Sequence, residues 1–301
     1  MSTPFRIALF HNFPFGGVKR AIYELAKGLI ARGHTIDAFL PHTADERYLP
    51  LQALGIPVRR YPLTGYDAPR HLRPYIVNGY MDLLQRWWHL QQCAALNRRI
   101  ADTIDRGRYD VAWVDKCLFA SSPFLLRYLK TPTVFYCHDP WRVGYEDFGN
   151  PEWSSTFQRA GALKRLYMRG CEWGQQLPER YVAHVDRVNA VPARRILTNS
   201  RYTQAYIKQV YDKESLVSYL GVDTAVFRPM GLPRERLVLA VGRLELRKRF
   251  EMAIQAIGRI PRKDRPQFVI ATQSDRPHRR RIETLAKELH VPLRIVVGVT
   301  D

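Results

Sequence analysis

Short apolar runs alternate with longer amphipathic stretches along most of the chain. Residues 6–10 form an apolar run that predicts a strand, and apolar side chains then recur at the three- and four-residue spacing of a helix. Gly33 ends this helical pattern, and Thr35–Leu40 predicts a second strand. Because a helix lies between the two strands, residues 6–40 predict a βαβ unit with parallel pairing.

The same alternation continues to about residue 220 and predicts a doubly wound α/β domain. A segment with two prolines and one glycine follows at 223–236, and we interpret it as an interdomain linker. We therefore assign residues 1–222 to a first, Rossmann-like domain. The further strands expected in it are 58–61, 111–114, 133–136, 196–198 and 217–220.

After the linker the alternation restarts, and residues 237–301 predict a second domain of three strands and two helices. The strands are expected at 237–241, 267–272 and 293–297. A three-stranded sheet is smaller than the usual doubly wound domain and leaves part of its surface uncovered. We therefore interpret the second domain as incomplete and expect the natural chain to continue past Asp301.

Charge changes this picture by indicating the kind of partner. Lysine and arginine number 47 against 28 acidic residues, which gives a formal charge of +19. Such an excess predicts attraction to nucleotide phosphates, acidic lipid surfaces or nucleic acid. The four cysteines are far apart in the sequence, so neither a zinc site nor a disulfide framework is predicted. No segment has the features of a signal peptide or a membrane span, and we expect a cytoplasmic protein.

A cationic loop follows the first strand of the second domain. Strand 237–241 ends at Gly242, and Arg243 and Lys248 lie between it and an amphipathic helix. The strand is continuously apolar, which is typical of burial on both faces of a parallel sheet. Ligands of open α/β sheets bind at the carboxyl ends of strands, and a helix N-terminus adds free N–H groups. The loop predicts a phosphate or diphosphate site, and the alternative is a solvated basic loop.

Two glycines, Gly16 and Gly17, lie between the first strand and the first helix. A side chain there would block the approach of a ligand to the backbone. The alternative is a tight turn that needs glycine for its conformation. Lys19, just inside the helix, opposes the helix dipole, and this indicates an anion nearby.

His138 and Asp139 follow directly after another buried strand, again at the edge where α/β sheets bind ligands. His138 could hydrogen-bond a sugar hydroxyl or transfer a proton, and Asp139 could orient it. The alternative is a structural histidine bonded to a backbone carbonyl. Arg142 and Glu146 are spaced for a local ion pair, which would contribute little if exposed.

The end of the first domain offers further candidates. Asn199 or Ser200 is expected to cap the helix that follows strand 196–198. Gly221 and Asp223 lead from the last strand into the linker, so they are expected to line the cleft between the domains, a preferred place for ligands.

Trp87 and Trp88 lie in a predicted helix at about 78–106 that also carries several arginines. Aromatic residues beside cations can mark a membrane-interface surface. We favour packing within the domain, because the apolar residues also suit an ordinary buried face.

Taken in order, these segments resemble the retaining glycosyltransferases of family four. The family has the GT-B architecture, two Rossmann-like domains that face each other across a cleft, and the resemblance covers nearly the whole chain. The segments that carry it are FPFGGVKRAIYELAKGLIARGH, YCHDPWRVGYE, ILTNSRYT, YLGVDTAVFRP and VGRLELRKRFEMAIQAI.

The resemblance implies transfer of a sugar, of the hexosyl type, from a nucleotide-sugar donor to a glycan or lipid-linked acceptor, with retention and without a metal or cofactor. Arg243 and Lys248 would bind the donor diphosphate, His138 would face the transferred sugar, and Gly16 and Gly17 would line the cleft. The other residues that we assign to substrate binding are Lys19, Asp139, Arg142, Asn199, Ser200, Gly221, Asp223 and Gly242.

This chain departs from the family pattern at three places. Asp139 and Trp141 replace the second and fourth residues of the family's His-Glu-Pro-Pro-Arg variant, and Arg249 stands where a glycine usually follows the second cation. The acidic motif that holds the donor's sugar and ribose would lie beyond Asp301. We therefore expect the parent enzyme to be active and the 301-residue chain to be inactive or nearly so.

Two other classes of function compete with this interpretation. One is a nucleotide-sugar or glycan-binding module without turnover. The other is a nucleic-acid-binding protein, which we disfavour because no RNA- or DNA-binding module is recognisable. For the enzyme, the basic surface also predicts peripheral contact with the inner face of an anionic membrane.

Overall fold

The computed structural model describes residues 3–13, 16–63, 75–145, 161–231, 233–245, 248–273 and 278–298. The chain divides into two compact units, Met1–Val222 and Asp223–Asp301.

The first unit is built on a parallel sheet. Its strands in the described residues are β1 (Arg6–Asn12), β2 (Thr35–Pro41), β3 (Val58–Tyr61), β4 (Val111–Cys117), β5 (Thr133–Cys137), β6 (Arg195–Thr198) and β7 (Leu216–Val217). Their order in the sheet is β3-β2-β1-β4-β5-β6-β7, and every pairing is parallel. The chain therefore builds outward from β1 in both directions, which confirms the predicted doubly wound α/β domain.

Helices cover both faces of this sheet. They are α1 (Gly17–Ile30), α2 (Tyr75–Arg106), α3 (Leu125–Tyr128), α4 (Arg142–Tyr145), α5 (Ala162–Ala190) and α6 (Arg201–Tyr211). Because successive side chains of a strand point to opposite faces, β1 contributes to two cores. Phe10 packs in one core with Ile100 of α2, and Leu9 packs in the other with Ile22 of α1.

Helix α2 corrects one expectation. Trp87 and Trp88, which we expected to pack within the domain, are 47% and 52% exposed, and Leu84 on the same helix is also exposed. In the part of α2 whose side chains are described, residues 83–106, the buried stripe runs from Leu90 through Ile100, and the two tryptophans lie outside it. No helix in the described ranges is long and apolar enough to cross a membrane.

The second unit has a smaller parallel sheet. Its described elements are β8 (Leu237–Val241), α7 (Phe250–Gly258), β9 (Gln267–Thr272), α8 (Arg279–Glu288) and β10 (Leu293–Val297), with sheet order β10-β9-β8. Strand β8 was predicted to be buried on both faces, and this is wrong: Val241 is 76% exposed. Among the described strands β8 pairs on one side, with β9, and the buried core of this unit gathers around Phe268 and Ile270 of β9.

A buried ion pair ties the start of α1 to the loop after β2. The Lys19 side chain is fully buried, and its Nζ contacts Glu46 Oε1 and lies 3.5 Å from His11 Nε2. Glu46 Oε2 accepts a hydrogen bond from the Leu51 backbone N–H at 2.9 Å. Burial alone would raise the pKa of Glu46, but the hydrogen bonds from His11 and Lys19 outweigh it and lower that pKa. Glu46 is therefore a buried carboxylate that stays charged.

Removing this carboxylate is expected to destabilise the first unit. Glu46→Gln leaves the Lys19 ammonium buried without a counter-charge, and breaking such a pair from one side costs about 3–5 kcal/mol in the free energy of unfolding. Urea denaturation followed by tryptophan fluorescence measures it. The control is Glu24→Gln, whose carboxylate is 36% exposed and 4.0 Å from Lys27, with an expected change below about 0.5 kcal/mol. Equal small losses in the two variants would contradict the role given to Glu46.

Candidate active site

The order of the strands selects one edge of the first unit as the place for a ligand. The direction of winding reverses between β1 and β4, and ligands of such sheets bind outside the carboxyl ends of the strands at this reversal. Asn12 at the end of β1 pairs with Cys117 at the end of β4. Strand β5 lies next to β4, so His138, which follows β5 directly, belongs to the same edge.

The glycine turn stands at this edge. Gly16 has φ +133°, a backbone conformation that residues with a side chain rarely adopt, and it precedes the first turn of α1. A Cβ added at Gly16 or Gly17 would meet no described atom within 4 Å, so the space beside the helix N-terminus is open. Both interpretations of Gly16 and Gly17 agree with this geometry. The turn needs glycine at Gly16, and it leaves room for a ligand.

The partner of Lys19 is not the ligand that the sequence indicated. The anion that we expected near it is Glu46, a carboxylate of the chain itself, and the lysine is fully buried. The pair explains how a cation is tolerated in the first turn of α1, since the carboxylate offsets the unfavourable helix dipole. Lys19 is therefore part of the scaffold that supports the turn at Gly16 and Gly17.

The carboxylate next to His138 is Asp115, and this corrects the role that we gave to Asp139. Asp115 on β4 is fully buried, and its Oδ1 lies 3.3 Å from His138 Nε2. Asp139 is turned elsewhere, with its Oδ1 2.5 Å from Lys116 Nζ. Burial first, and then the charge of Asp115, raises the pKa of Tyr136 to about 12.

Asn199 and Ser200, which follow β6, have different partners. Asn199 donates from Nδ2 to the His138 carbonyl at 3.2 Å, and Ser200 caps α6 by accepting from the Thr203 N–H at 3.2 Å. The structure therefore resolves the two alternatives for the cap: Ser200 takes it, and Asn199 joins the ends of β5 and β6.

Trp141 is anchored to α5 by two hydrogen bonds. Its backbone N–H donates to Asp186 Oδ2 at 3.2 Å, and its indole Nε1 donates to Glu179 Oε2 at 2.9 Å. A proline could donate neither bond, which gives a physical reason for this departure from the family pattern. Arg142 follows as the exposed first residue of α4, and its expected partner Glu146 lies outside the described residues.

In the second unit, the side chain of Lys248 lies beside Gly242 at the end of β8. A Cβ at Gly242 would stand 3.7 Å from both Cδ and Cε of Lys248, so the lysine stem passes close to the backbone. Arg243 is mostly exposed, and its Nε lies 3.2 Å from Glu245 Oε1. The two cations therefore stand at the carboxyl end of β8, immediately before α7.

Arg249 caps α7 in a left-handed conformation, with φ 56° and ψ 34°. This conformation costs a residue with a side chain about 1–2 kcal/mol relative to the right-handed region, whereas glycine adopts it readily. The structure thus gives a reason for the glycine that the family pattern carries at this position.

Two further candidates from the sequence, Gly221 and Asp223, stand where the first unit ends and the second begins. Gly221 is exposed, and Asp223 accepts from the Ala225 N–H at 3.0 Å through Oδ1. Among the described residues, no group of three or more His, Cys, Asp or Glu side chains is placed to hold a metal ion.

Sequence reasoning missed three buried polar residues at this edge, namely His11, Glu46 and Asp115. Burial lowers the pKa of His11, and the hydrogen bond with Glu46 acts on that pKa in the opposite direction. His11 and Asp115 stand near the carboxyl ends of apolar strands, as His138 does, so the argument applied to His138 would have found them. Glu46 lies in a loop, and no pattern in the sequence indicates it.

Comparison with known proteins places the chain in a family. Residues 15–226 match the family description Glycosyltransferase Family 4. Because the match covers more than half of the chain, the chain belongs to this family.

Among curated proteins, "Probable glycogen synthase 2" from Synechocystis sp. is 31% identical over 137 residues, which is 43% of this chain and 26% of that protein. The match thus spans about a quarter of the length of this relative.

Two solved structures share the fold. A glycosyltransferase from Rickettsia africae ESF-5 has a TM-score of 0.57 at 14% identity, and the match covers 100% of this chain and 70% of the Rickettsia chain. UGT89C1 from Arabidopsis thaliana, complexed with UDP-L-rhamnose, has a TM-score of 0.51 at 10% identity, and the match covers 100% of this chain and 70% of the Arabidopsis chain. The predicted GT-B fold is confirmed. Retention of configuration and the continuation of the chain stay predictions.

The strained cap leads to a testable substitution. Arg249→Gly removes the left-handed conformation of a residue with a side chain, and we expect α7 to gain up to about 1 kcal/mol against local opening. Native-state hydrogen exchange of the α7 amides measures this. Arg259→Gly is the matched control at the other end of the helix, where φ is −78° and glycine is expected to cost about 0.5–1 kcal/mol. A loss of protection in Arg249→Gly would contradict the assignment of strain.

Proposed function

We propose that the chain acts in the transfer of a hexose from a nucleoside-diphosphate sugar to a glycan or lipid-linked acceptor, with retention of anomeric configuration. The observation that carries the proposal is its membership of Glycosyltransferase Family 4. The Synechocystis relative, described as a probable glycogen synthase, and the Arabidopsis protein, complexed with UDP-L-rhamnose, are in keeping with a nucleotide-sugar donor. A metal or organic cofactor has no part in the proposal.

The proposed chemistry gives the cations a defined task. When the bond between the anomeric carbon and the diphosphate breaks, negative charge grows on the leaving nucleoside diphosphate while the sugar becomes oxocarbenium-like. Arg243, Lys248 and the N-terminal amides of α7 stabilise that charge at the carboxyl end of β8. Fixed donors of this kind are each worth about 3 kcal/mol in the barrier.

The first unit contributes the other surfaces. His138 contacts the transferred sugar, and the open turn at Gly16 and Gly17 admits substrate to the backbone. The remaining contacts assigned to substrate are Asp139, Arg142, Asn199, Ser200, Gly221, Asp223 and Gly242. The first test of the proposal is donor binding, which needs no turnover.

Removal of both cations is expected to weaken donor binding. Arg243→Ala with Lys248→Ala should raise the dissociation constants of nucleoside diphosphates and their sugars at least about 10-fold, because charge-assisted hydrogen bonds contribute about 1.5–3 kcal/mol each. Titration calorimetry with the UDP, GDP and ADP series measures this. Arg262→Ala with Lys263→Ala removes the same two residue types from an exposed turn of the second unit and should change nothing. Equal affinity in the two double variants would refute the role of the cations.

A second candidate is a binding module without turnover. It predicts the same affinity for the nucleotide sugar but no glycosylated product. Incubation of donor with glycan and lipid-linked acceptors, followed by mass spectrometry of the products, separates the two. Product formed by the wild type, and lost in the Arg243→Ala with Lys248→Ala variant, would exclude this candidate.

The exposed face of α2 supports peripheral contact with an anionic membrane at the cytoplasmic side. Leu84, Trp87 and Trp88 are all exposed there, and Arg98 and Arg99 are exposed further along the same helix. Tryptophan and leucine partition into the lipid interface, and cations are drawn to acidic headgroups. The formal charge of +19 favours the same partner, and nucleic acid is not part of the proposal.

Vesicle sedimentation tests this surface. Trp87→Ser with Trp88→Ser is expected to lower binding to vesicles with one-third phosphatidylglycerol by at least about 10-fold, because burial of each large apolar side chain stabilises the bound state by about 1.5–3 kcal/mol. Tyr202→Ser, at an exposed aromatic side chain of α6, is the control and should bind as the wild type does. Equal binding by both variants, or no binding by the wild type, would reject the membrane surface.

A further inference from the structure

Asp115 and His138 form a buried pair that the proposed chemistry does not yet use. The two side chains come from adjacent strands or the residue just after them, and they are 0% and 5% exposed. Their nearest atoms, Asp115 Oδ1 and His138 Nε2, are 3.3 Å apart. Water is therefore nearly excluded from the pair, and an interaction between the two groups is little screened.

The pair is unfinished as a hydrogen bond. Neither His138 Nε2 nor Asp115 Oδ2 has a hydrogen-bond partner among the described residues. A buried polar group without a partner is costly, typically by about 1–3 kcal/mol, and calls for an explanation. Catalytic hydrogen bonds are often long or poorly aligned before substrate binds and shorten afterwards, and an unfinished pair is what such a site requires.

Each member of the pair is restrained by a neighbouring residue: Asp115 by Lys116, and His138 by Tyr136. The Lys116 N–H donates to Asp115 Oδ1 at 2.7 Å, and this bond restrains the carboxylate. The Tyr136 ring packs against the imidazole with centroids 4.7 Å apart, and its hydroxyl donates to the Ser218 carbonyl at 2.6 Å. The imidazole is thus confined between a fixed ring and a fixed carboxylate.

We propose that Asp115 is the positioning residue of His138: it holds the ring proton on Nε2, so that Nδ1 is the nitrogen that accepts a hydrogen bond from a hydroxyl of the transferred sugar. Which imidazole nitrogen carries the proton is set by the hydrogen-bond partners of the two nitrogens. A carboxylate accepts and does not donate, so it selects the Nε2–H form. No covalent step is involved, and the consequence for transfer rests on the proposed function.

The first test observes the ring directly and needs no turnover. In long-range ¹H–¹⁵N spectra of histidine-labelled protein, with the His138 signals identified from their loss in His138→Gln, the wild type should show a protonated Nε2 and an unprotonated Nδ1. Asp115→Asn and Asp115→Ala should both move these signals toward the average of the two neutral forms. Asp105→Asn, which alters a carboxylate bonded to Lys130 and Thr131, should leave them in place.

The second test measures transfer by the 301-residue chain. Asp115→Asn should lower kcat by about 10- to 100-fold while the donor KM stays within about twofold, as when a group that orients an active side chain is lost. Unmoved His138 signals in folded Asp115→Asn and Asp115→Ala would overturn the positioning role even if transfer is observed. Moved signals together with no binding of a nucleoside diphosphate or nucleotide sugar by the wild type would count against the proposed function alone.

Discussion

The parallel pairing of β1 with β4 is the constraint on which the rest of the first unit depends. It joins two chain segments far apart in sequence, and it is the point where the sheet begins to wind in the opposite direction. Parallel strands end at the same edge, so the pairing brings the ends of β1, β4 and β5 together. A polar side chain that is buried near these ends is costly unless it finds a partner.

The polar residues of this edge answer that requirement in two ways. Lys19 and Glu46 form a closed ion pair that supports the glycine turn, whereas Asp115 and His138 form a pair with an unfilled hydrogen bond. The closed pair belongs to the scaffold because both of its charges are satisfied within the chain. The open pair is suited to a ligand site, because its hydrogen bond can shorten when a ligand binds. Burial alone does not separate these two roles, but the state of the hydrogen bonds does.

The sequence predicted the elements of the fold better than the partners of individual side chains. Periodicity located β1, α1 and β2, because strand and helix spacing are local properties of the chain. The contact of Asp115 with His138 could not be predicted, because it depends on the pairing of β4 with β5. The exposure of Trp87 and of Val241 could not be predicted for the same reason: an apolar residue is equally suited to a buried face, and only tertiary packing decides which face is covered.

The central claim is that a nucleoside diphosphate binds at the carboxyl end of β8, and hydrogen exchange tests it most directly. The exchange rates of backbone amides, measured by mass spectrometry with and without UDP, GDP or ADP, locate the nucleotide without any need for turnover. We predict slower exchange at Gly242 and in the first turn of α7 with at least one of the three nucleotides. Unchanged exchange there with all three, or protection confined to the amino end of β8, would contradict the claim.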